Sequence, residues 1–184
     1  MKEGEAMNNI LIFVGSMRKN GNTARLAQSI AEGAAANNNV EIVSVADYNV
    51  NPCIGCNSCF AREGNRCFQN DDMVQIYDKL RNADIVVIAS PVYFYGISAQ
   101  LKAVVDRLHT PMRHTFHIKK LGLLLVGAAE LANLFDPIIM QYQMVLDFFK
   151  LKSIGTVLVR GVKDIGDIVG SSALKEAYEL GTSI

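Results

Sequence analysis

The chain has 184 residues, 50% hydrophobic and 20% charged, so it is long enough for one domain with a substantial core and too apolar for disorder. Its 18 basic and 18 acidic residues balance, which argues against the basic face of a nucleic-acid-binding protein or of a protein held on an anionic membrane. No apolar run is long enough to cross a bilayer, and the first residues lack the apolar stretch of a secretion signal. We therefore expect a cytoplasmic protein that binds neither nucleic acid nor membrane, with residues 1–8 as a disordered leader.

Apolar runs typical of buried parallel strands alternate along the chain with stretches that have the apolar spacing of helices. The predicted strands cover residues 9–14, 40–45, 84–90, 121–126 and 154–159, and the predicted helices begin at residues 22, 71, 97, 131 and 171. Because strands and helices alternate, we predict an α/β fold in one domain over residues 1–184. The pattern matches a flavodoxin-like three-layer sandwich with a five-stranded parallel sheet in the order 2-1-3-4-5 and helices on both faces.

The first predicted strand ends at a polar loop, GSMRKNGNT, which opens the first helix. Backbone N–H groups and the positive end of the helix dipole converge at such a position, so a phosphate group would be surrounded by donors. Short polar side chains add to them at Ser16, Asn20, Asn22 and Thr23, and Arg18 can supply charge. The loop has neither the ending of a Walker loop nor the glycine pattern of a dinucleotide fingerprint. The alternative interpretation is a polar turn that only caps a helix.

The segment GSMRKNGNTARL resembles the phosphate loop of the NADPH-dependent FMN reductase and iron–sulfur flavoprotein group. A second segment, SPVYFYGISAQLKAVVDR, follows the third strand and is similar to that group's second flavin-contacting loop and the helix after it. The resemblance implies that FMN is bound by Ser16, Met17, Arg18, Asn20, Asn22, Thr23, Pro91, Val92, Tyr93, Phe94 and Gly96. It also implies that the backbone of residues 91–94 lies along the isoalloxazine ring and that Gly96 allows close approach. Apolar and aromatic walls suit a flat ring system, although the same aromatic residues could be core or dimer contacts.

No side chain is assigned a catalytic role, because hydride transfer from a nicotinamide to a flavin needs two stacked rings rather than a strong protein acid or base. Asp106 and Arg107 resemble a recurring pair of the family, and we expect an exposed or structural ion pair there. The three histidines, His109, His114 and His117, are expected to be loop residues rather than metal ligands.

All four cysteines lie in a connection, residues 47–70, that is too long for an ordinary loop and is therefore expected to be functional. Cys53, Cys56 and Cys59 are spaced to wrap one cubane, and Cys67 completes a set of four ligands. The pattern resembles the compact cysteine motif of iron–sulfur flavoproteins, which carries a [4Fe–4S] cluster, with a last spacer at the long end for that group. Reductases without a cluster resemble the same stretch and have buried thiols or a labile disulfide, so both states stay open. Structural zinc is disfavoured because it usually uses two separated cysteine pairs.

The predicted helix over residues 131–149 is apolar nearly all the way round, which is more than packing one face against a sheet requires. We expect the excess to form a contact in a homodimer or higher homo-oligomer, and the resemblance implies the same.

The resemblance implies an enzyme in which NAD(P)H passes electrons through bound FMN to a small acceptor such as a quinone or free flavin. The alternative is an iron–sulfur flavoprotein electron carrier that passes electrons from ferredoxin through a [4Fe–4S] cluster to FMN. A third hypothesis is a redox-sensing binding protein whose cysteines respond to oxidants without turnover.

Overall fold

The computed structural model describes residues 7–184, so residues 1–6 of the predicted leader lie outside the described part of the chain. The strands are β1 (Asn9–Val14), β2 (Asn39–Ser44), β3 (Ile85–Tyr93), β4 (Gly96–Ile97), β5 (Lys120–Val126) and β6 (Lys152–Val159). The helices are α1 (Asn22–Ala34), α2 (Ser58–Ala61), α3 (Met73–Asn82), α4 (Ala99–Asp106), α5 (Asp136–Phe149) and α6 (Ser172–Thr182).

Five parallel strands form the sheet in the order β2-β1-β3-β5-β6. Counted without the two-residue β4, this is the predicted order 2-1-3-4-5, so the predicted flavodoxin-like topology is confirmed. The additional strand β4 pairs antiparallel with the end of β3, where Val92 opposes Ile97 and Tyr93 opposes Gly96. Two residues are too few to show a periodicity, and the sequence pattern therefore did not reveal this strand.

Side chains of successive strand residues point to opposite faces of the sheet, and both faces are buried. Phe13 packs in a core with residues of α3, α4 and α5. Its neighbour Ile12 packs in a second core with residues of α1 and α6. This two-sided burial explains why the central strands β1, β3 and β5 are continuous apolar runs rather than alternating ones.

Helices α1 and α6 cross at two glycines in close backbone contact. A Cβ atom at Gly33 would overlap the carbonyl oxygen of Tyr178, and one at Gly181 would overlap the carbonyl oxygen of Ile30. Only glycine permits this approach, which packs the C-terminal helix directly against α1 on the same face of the sheet.

Three helices begin two or more residues later than predicted, and one of them is α3, which begins at Met73 because Asp72 is its N-cap. The helix expected from residue 131 begins at Asp136, with Pro137 in its first turn, where the missing N–H of proline is tolerated. The helix expected from residue 97 begins at Ala99, because Ile97 belongs to β4 and Ser98 caps the helix by accepting a hydrogen bond from the N–H of Leu101 (3.3 Å).

Helix α5 has the outward apolar face that the sequence predicted. Its inner face buries Ile138, Tyr142 and Leu146. On the outer face Met140 and Met144 are exposed, together with Phe148 near the end of the helix.

Within residues 7–184, no helix has both the length and the apolar character needed to cross a membrane.

The last two strands of the sheet are joined with one irregularity. The pairing of β5 with β6 shifts register between Leu121 and Gly122. At this point the Tyr142 hydroxyl donates a hydrogen bond to the Leu121 carbonyl (2.6 Å) and lies 2.8 Å from the Ser153 hydroxyl. A side chain of α5 thus supplies a hydrogen bond to the backbone at the register shift.

Candidate FMN site and cysteine loop

A pocket of about 160 Å³ lies at the carboxyl ends of β1, β3 and β5. Residues of the β1–α1 loop (residues 15–21) and the first turn of α1 form one wall, and residues 91–93 form another. The remaining walls come from Val126 and Ala128 at the end of β5 and from a loop after β6 (residues 162–165). Ligands of open parallel sheets bind at this end of the strands.

Seven of the residues predicted to bind FMN line this pocket: Ser16, Arg18, Asn22, Thr23, Pro91, Val92 and Tyr93. The other four, Met17, Asn20, Phe94 and Gly96, do not line it. Met17 and Phe94 are exposed beside it, at 48% and 98% of their surfaces. The walls from residues 126–128 and 162–165 were not predicted, although the general rule for strand ends could have indicated both.

The N-terminus of α1 is open toward the pocket. Its N-cap residue is Gly21, and no side chain caps the helix. The Ser16 hydroxyl instead shapes the loop by accepting a hydrogen bond from the N–H of Arg18 (3.1 Å). The first-turn N–H groups of a helix have no partner within the helix, so an uncapped N-terminus in a pocket is suited to an anion.

Two of the predicted FMN residues hold the loop after β6. The Asn22 side chain donates to the Asp164 carbonyl (2.7 Å) and accepts from the N–H of Gly166 (3.0 Å). The Arg18 guanidinium donates to the Lys163 carbonyl (3.1 Å). The amide of Asn22 is therefore occupied by protein groups, and its contribution to an anion site is its backbone N–H.

The β3–β4 turn (residues 91–96) presents aromatic side chains at the mouth of the pocket. Phe94 and Tyr95 occupy its two central positions with positive φ angles of 47° and 65°. Such a two-residue turn normally uses Asn-Gly, and bulky residues in this conformation are strained by about 1–3 kcal/mol each. The base of the turn is fixed, since the buried Ser90 hydroxyl accepts a hydrogen bond from the N–H of Ser98 (3.0 Å). A strained and exposed aromatic turn on a fixed base is typical of a binding element.

A larger apolar pocket of about 570 Å³ lies between the sheet and helices α4 and α5. Leu101, Val104, Tyr142 and Val145 are among its walls, and it contains none of the residues predicted to bind FMN. Its size does not make it the flavin site, because it lacks the convergent backbone donors that a phosphate requires.

The four cysteines of the loop over residues 47–70 are free thiols. Cys53 and Cys56 are exposed, and Cys59 and Cys67 are half-buried. A hydrogen bond with the Ser58 hydroxyl (3.2 Å) lowers the pKa of the Cys56 thiol. In the described part of the chain, no three His, Cys, Asp or Glu side chains are gathered closely enough to hold one metal ion.

The donor set of this loop nevertheless fits a sulfur-liganded cluster better than a single ion. Four free thiols lie within fifteen residues on a mainly irregular segment whose only α-helix is the short α2. Gly55 and Gly64 have positive φ angles of 68° and 66°, which give the loop two sharp bends between its cysteines. Thiolates on such a loop are the ligands that iron–sulfur clusters use.

Asp106 and Arg107, which resemble a recurring pair of the family, do not form an ion pair with each other. Asp106 pairs with Lys102 on the exposed side of α4, whereas Arg107 pairs with Asp71. The side chains of Arg107 and Asp71 are only 3% and 0% exposed, so the expectation of a structural ion pair is met with a different and buried partner. The partners are 36 residues apart, a separation over which sequence spacing gives no signal.

The histidines occupy the segment between α4 and β5. The His109 ring lies 6.2 Å from the ring of Phe60 in the cysteine loop and 6.4 Å from the ring of Phe148 on α5. His114 and His117 are exposed.

Residues 8–146 match the sequence profile of the family described as NADPH-dependent FMN reductase. An iron–sulfur flavoprotein from Methanocaldococcus jannaschii is 40% identical over 119 residues, which cover 63% of this chain and 60% of that protein. One from Archaeoglobus fulgidus is 31% identical over 174 residues, which cover 94% of this chain and 76% of that protein.

Among solved structures, an NAD(P)H:quinone oxidoreductase from Methanothermobacter marburgensis superposes with a TM-score of 0.74 over 96% of this chain and 98% of that one. At 16% identity this likeness shows the flavodoxin-like fold alone. The profile match extends from β1 into α5, through both segments that carried the resemblance. The chain therefore belongs to the NADPH-dependent FMN reductase family.

Proposed function

We propose that this protein is an oxidoreductase in which NAD(P)H reduces bound FMN and the flavin then reduces a small acceptor such as a quinone or free flavin. The observation that supports the proposal most directly is the pocket where the uncapped N-terminus of α1 meets the β3–β4 turn. One end of this pocket suits a phosphate and the other suits a flat aromatic ring. When bound, FMN supplies the exchange of two electrons with a nicotinamide.

The phosphate end is formed by backbone and hydroxyl donors. The backbone N–H groups of Asn22 and Thr23 lie in the first turn of α1, and Ser16 and Thr23 bring buried hydroxyls to the same pocket. The Arg18 guanidinium lies at its rim and adds positive charge. Charge-assisted hydrogen bonds of this kind are about twice as strong as neutral ones, so this end is expected to contribute most of the affinity.

The ring end is formed by the β3–β4 turn. A pocket of about 160 Å³ is smaller than the typical 300–1,000 Å³ of a ligand site, so we infer that it encloses the phosphate end and leaves the ring at the exposed turn. Tyr93 and Phe94 are 52% and 98% exposed there and offer apolar surface for a ring to cover. An open ring face is what a nicotinamide or an acceptor must reach.

A second candidate function is electron transfer through an iron–sulfur cluster to FMN, with ferredoxin as the donor. Two observations favour it, namely four free thiols in one loop and the description of the Methanocaldococcus and Archaeoglobus relatives as iron–sulfur flavoproteins. Cys53, Cys56, Cys59 and Cys67 would hold a [4Fe–4S] cluster, which supplies single-electron transfer when bound. Free thiols are maintained in a reducing compartment, which supports a cytoplasmic location.

Anaerobic purification followed by an absorbance spectrum and an iron assay tests both functions. The first predicts flavin bands that bleach with NADPH, and the second predicts about four irons per chain and reduction by a ferredoxin system. A matched control with all four cysteines replaced by serine is expected to keep FMN and to lose iron. A protein that binds no flavin would refute both functions, and flavin bleaching by NADPH without iron would leave the first alone.

We further propose that the exposed apolar face of α5 is covered in a homodimer or higher homo-oligomer. Met140, Met144 and Phe148 form this face, and the Phe60–His109–Phe148 ring contacts extend it onto the cysteine loop. Such a surface exceeds the scattered apolar residues normal for a monomer. Light scattering at micromolar concentration is expected to show an oligomer, and substitution of Met144 by aspartate is expected to dissociate it.

A further inference from the structure

The ends of the cysteine loop are held together by two aspartates at the start of α3. The Asp72 carboxylate accepts a hydrogen bond from the N–H of Asn49 (2.7 Å), and the Asp71 carboxylate accepts one from the N–H of Asn51 (2.9 Å). The residues just before Cys53 and just after Cys67 are thereby tied at one base. These two hydrogen bonds therefore fix the ends of the cysteine loop to the start of α3.

Arg107, the residue directly after α4, also binds both ends of the cysteine loop. Its guanidinium donates through one nitrogen to the Asp71 carboxylate and to the Asn51 carbonyl (3.3 Å). Its own carbonyl accepts a hydrogen bond from the buried Tyr77 hydroxyl (2.8 Å). Farther along the loop, Thr110 donates to the Asn65 carbonyl (3.4 Å). Arg107 is therefore held by hydrogen bonds through both its side chain and its backbone, next to the two ends of the segment that carries the thiols.

The Nε–H group of Arg107 has no partner. In the part of the chain that the structure describes, it is the only buried side-chain nitrogen or oxygen without a hydrogen bond. A buried unpaired donor is costly, so one in a native protein calls for an explanation such as an ion or a cofactor atom that accepts from it. Nη1 already donates to Asp71 and to Asn51, whereas the Nε–H group of the same guanidinium donates to no acceptor.

Hydrogen bonds hold the chain on both sides of Cys67 beside this group, since Asn65 is bonded to Thr110 and Asp71 is bonded to Arg107. Burial lowers the pKa of Arg107, but the Asp71 carboxylate raises it by more, and Cys67 adds to the rise. Burial raises the pKa of Tyr77 to about 12, which the Arg107 charge opposes and Cys67 and Cys59 reinforce. The half-buried Cys67 is thus the cysteine whose charge acts on both Arg107 and Tyr77.

We propose that Arg107 is a positioning residue for the cysteine loop, whose Nε–H donates a hydrogen bond to sulfur at Cys67 when the loop holds its cluster. This inference rests on the second proposed function. Asp71 keeps the guanidinium in place, and Arg107 itself exchanges neither electrons nor protons. Hydrogen bonds to the sulfurs of a cluster favour its reduced and more negative state, and so raise its reduction potential.

The test compares two variants of the anaerobically reconstituted full-length protein with the wild type. Arg107→Lys keeps a positive charge beside Asp71 but has no Nε–H group. The pair Asp71→Asn with Arg107→Met removes both charges, fills the volume of the arginine and keeps an oxygen that can accept from the N–H of Asn51. The matched control Lys102→Gln breaks the exposed pair with Asp106 on the same helix. Iron content and the cluster's midpoint potential, from a titration followed by electron paramagnetic resonance, are the readouts.

Both Arg107 variants are expected to lower the equilibrium constant for cluster reduction about tenfold, which is about 59 mV for a one-electron couple. The control is expected to keep the wild-type potential. Variants that bind iron and keep the wild-type potential would overturn the proposed role of Arg107, while their iron content would still support the cluster. A wild-type protein that takes up no iron would overturn the cluster and this inference with it. Should Arg107→Lys fail to fold, the paired variant alone decides by the same criterion.

Discussion

Thr23 is the side chain at which the proposed phosphate site can be tested with the least disturbance of the fold. It lies in the first turn of α1, is 3% exposed and lines the pocket. Thr23→Val replaces its hydroxyl by a methyl group of similar size, so the shape of the pocket is kept. Ser16 is a poorer choice, because its hydroxyl also accepts the Arg18 hydrogen bond that shapes the loop.

The expected loss follows from one hydrogen bond to a charged ligand. Such a bond contributes about 1.5–3 kcal/mol, and the phosphate is the charged partner here. Since each 1.4 kcal/mol corresponds to a factor of ten, the Kd for FMN is expected to rise about 10- to 100-fold. The hydroxyl does not contact the ring in this proposal, and the affinity for riboflavin, which lacks the phosphate, is expected to stay the same.

Titrations followed by flavin fluorescence measure both affinities on the flavin-free protein. Thr182→Val on the exposed surface of α6 is the matched control and is expected to leave both Kd values unchanged. Equal weakening of FMN and riboflavin would refute the reasoning, since it would place the effect of Thr23 on the ring or on the fold. An unchanged Kd for FMN would refute it as well.

Three further predictions concern stability. Gly33→Ala would place a methyl group on the backbone of α6, so we expect the unfolding free energy in urea to fall by about 1–3 kcal/mol. Tyr142→Phe leaves the Leu121 carbonyl without its hydrogen bond (2.6 Å), and the same measurement is expected to show a loss of about 1–3 kcal/mol. A hydrogen bond from the backbone N–H at the start of β1 is the main cause that lowers the pKa of Asp84. Its stabilising contribution is therefore complete above the unfolded-state pKa of about 3.9 and is lost as the pH falls through the lower folded value. Asp84→Asn is expected to lower stability at pH 7 and to flatten its decline in acid.

Each of these variants has a control or an outcome that would contradict it. Gln28→Ala on the exposed face of α1 is expected to change stability by less than about 0.5 kcal/mol, and a glycine variant equally mild would show that the two helices separate freely. Tyr178→Phe removes a tyrosine hydroxyl from a side chain that is 47% exposed and is expected to have little effect. For Asp84→Asn, a decline in acid parallel to that of the wild type would contradict the assigned pKa direction.

Much of the fold was determined by local sequence. Strands buried on both faces must be continuous apolar runs, and the residues that break them are polar loops or glycine, so the five long strands were predictable within a few residues. The same logic located the β1–α1 loop and the β3–β4 turn at strand ends, and the family match over residues 8–146 agrees with the resemblance those segments carried. A predicted helix boundary was wrong where contact with a neighbouring strand determined the structure. Ile97 pairs with Val92 of β3 and therefore belongs to β4 rather than to the start of α4.

Only the tertiary structure decided which side chains meet. Asn22 was predicted to bind FMN, and the structure shows in addition that its side-chain amide holds Asp164 and Gly166, more than 140 residues away. Arg107 was expected in an exposed or structural ion pair at Asp106, and its partner is instead the distant, buried Asp71. Contacts between distant segments leave no periodic signal in a single sequence, because they depend on where the crossover connections place each loop. The sequence by itself therefore determined the sheet and the ends at which a ligand can bind, while the packing of loops decided which donors stay free to bind it.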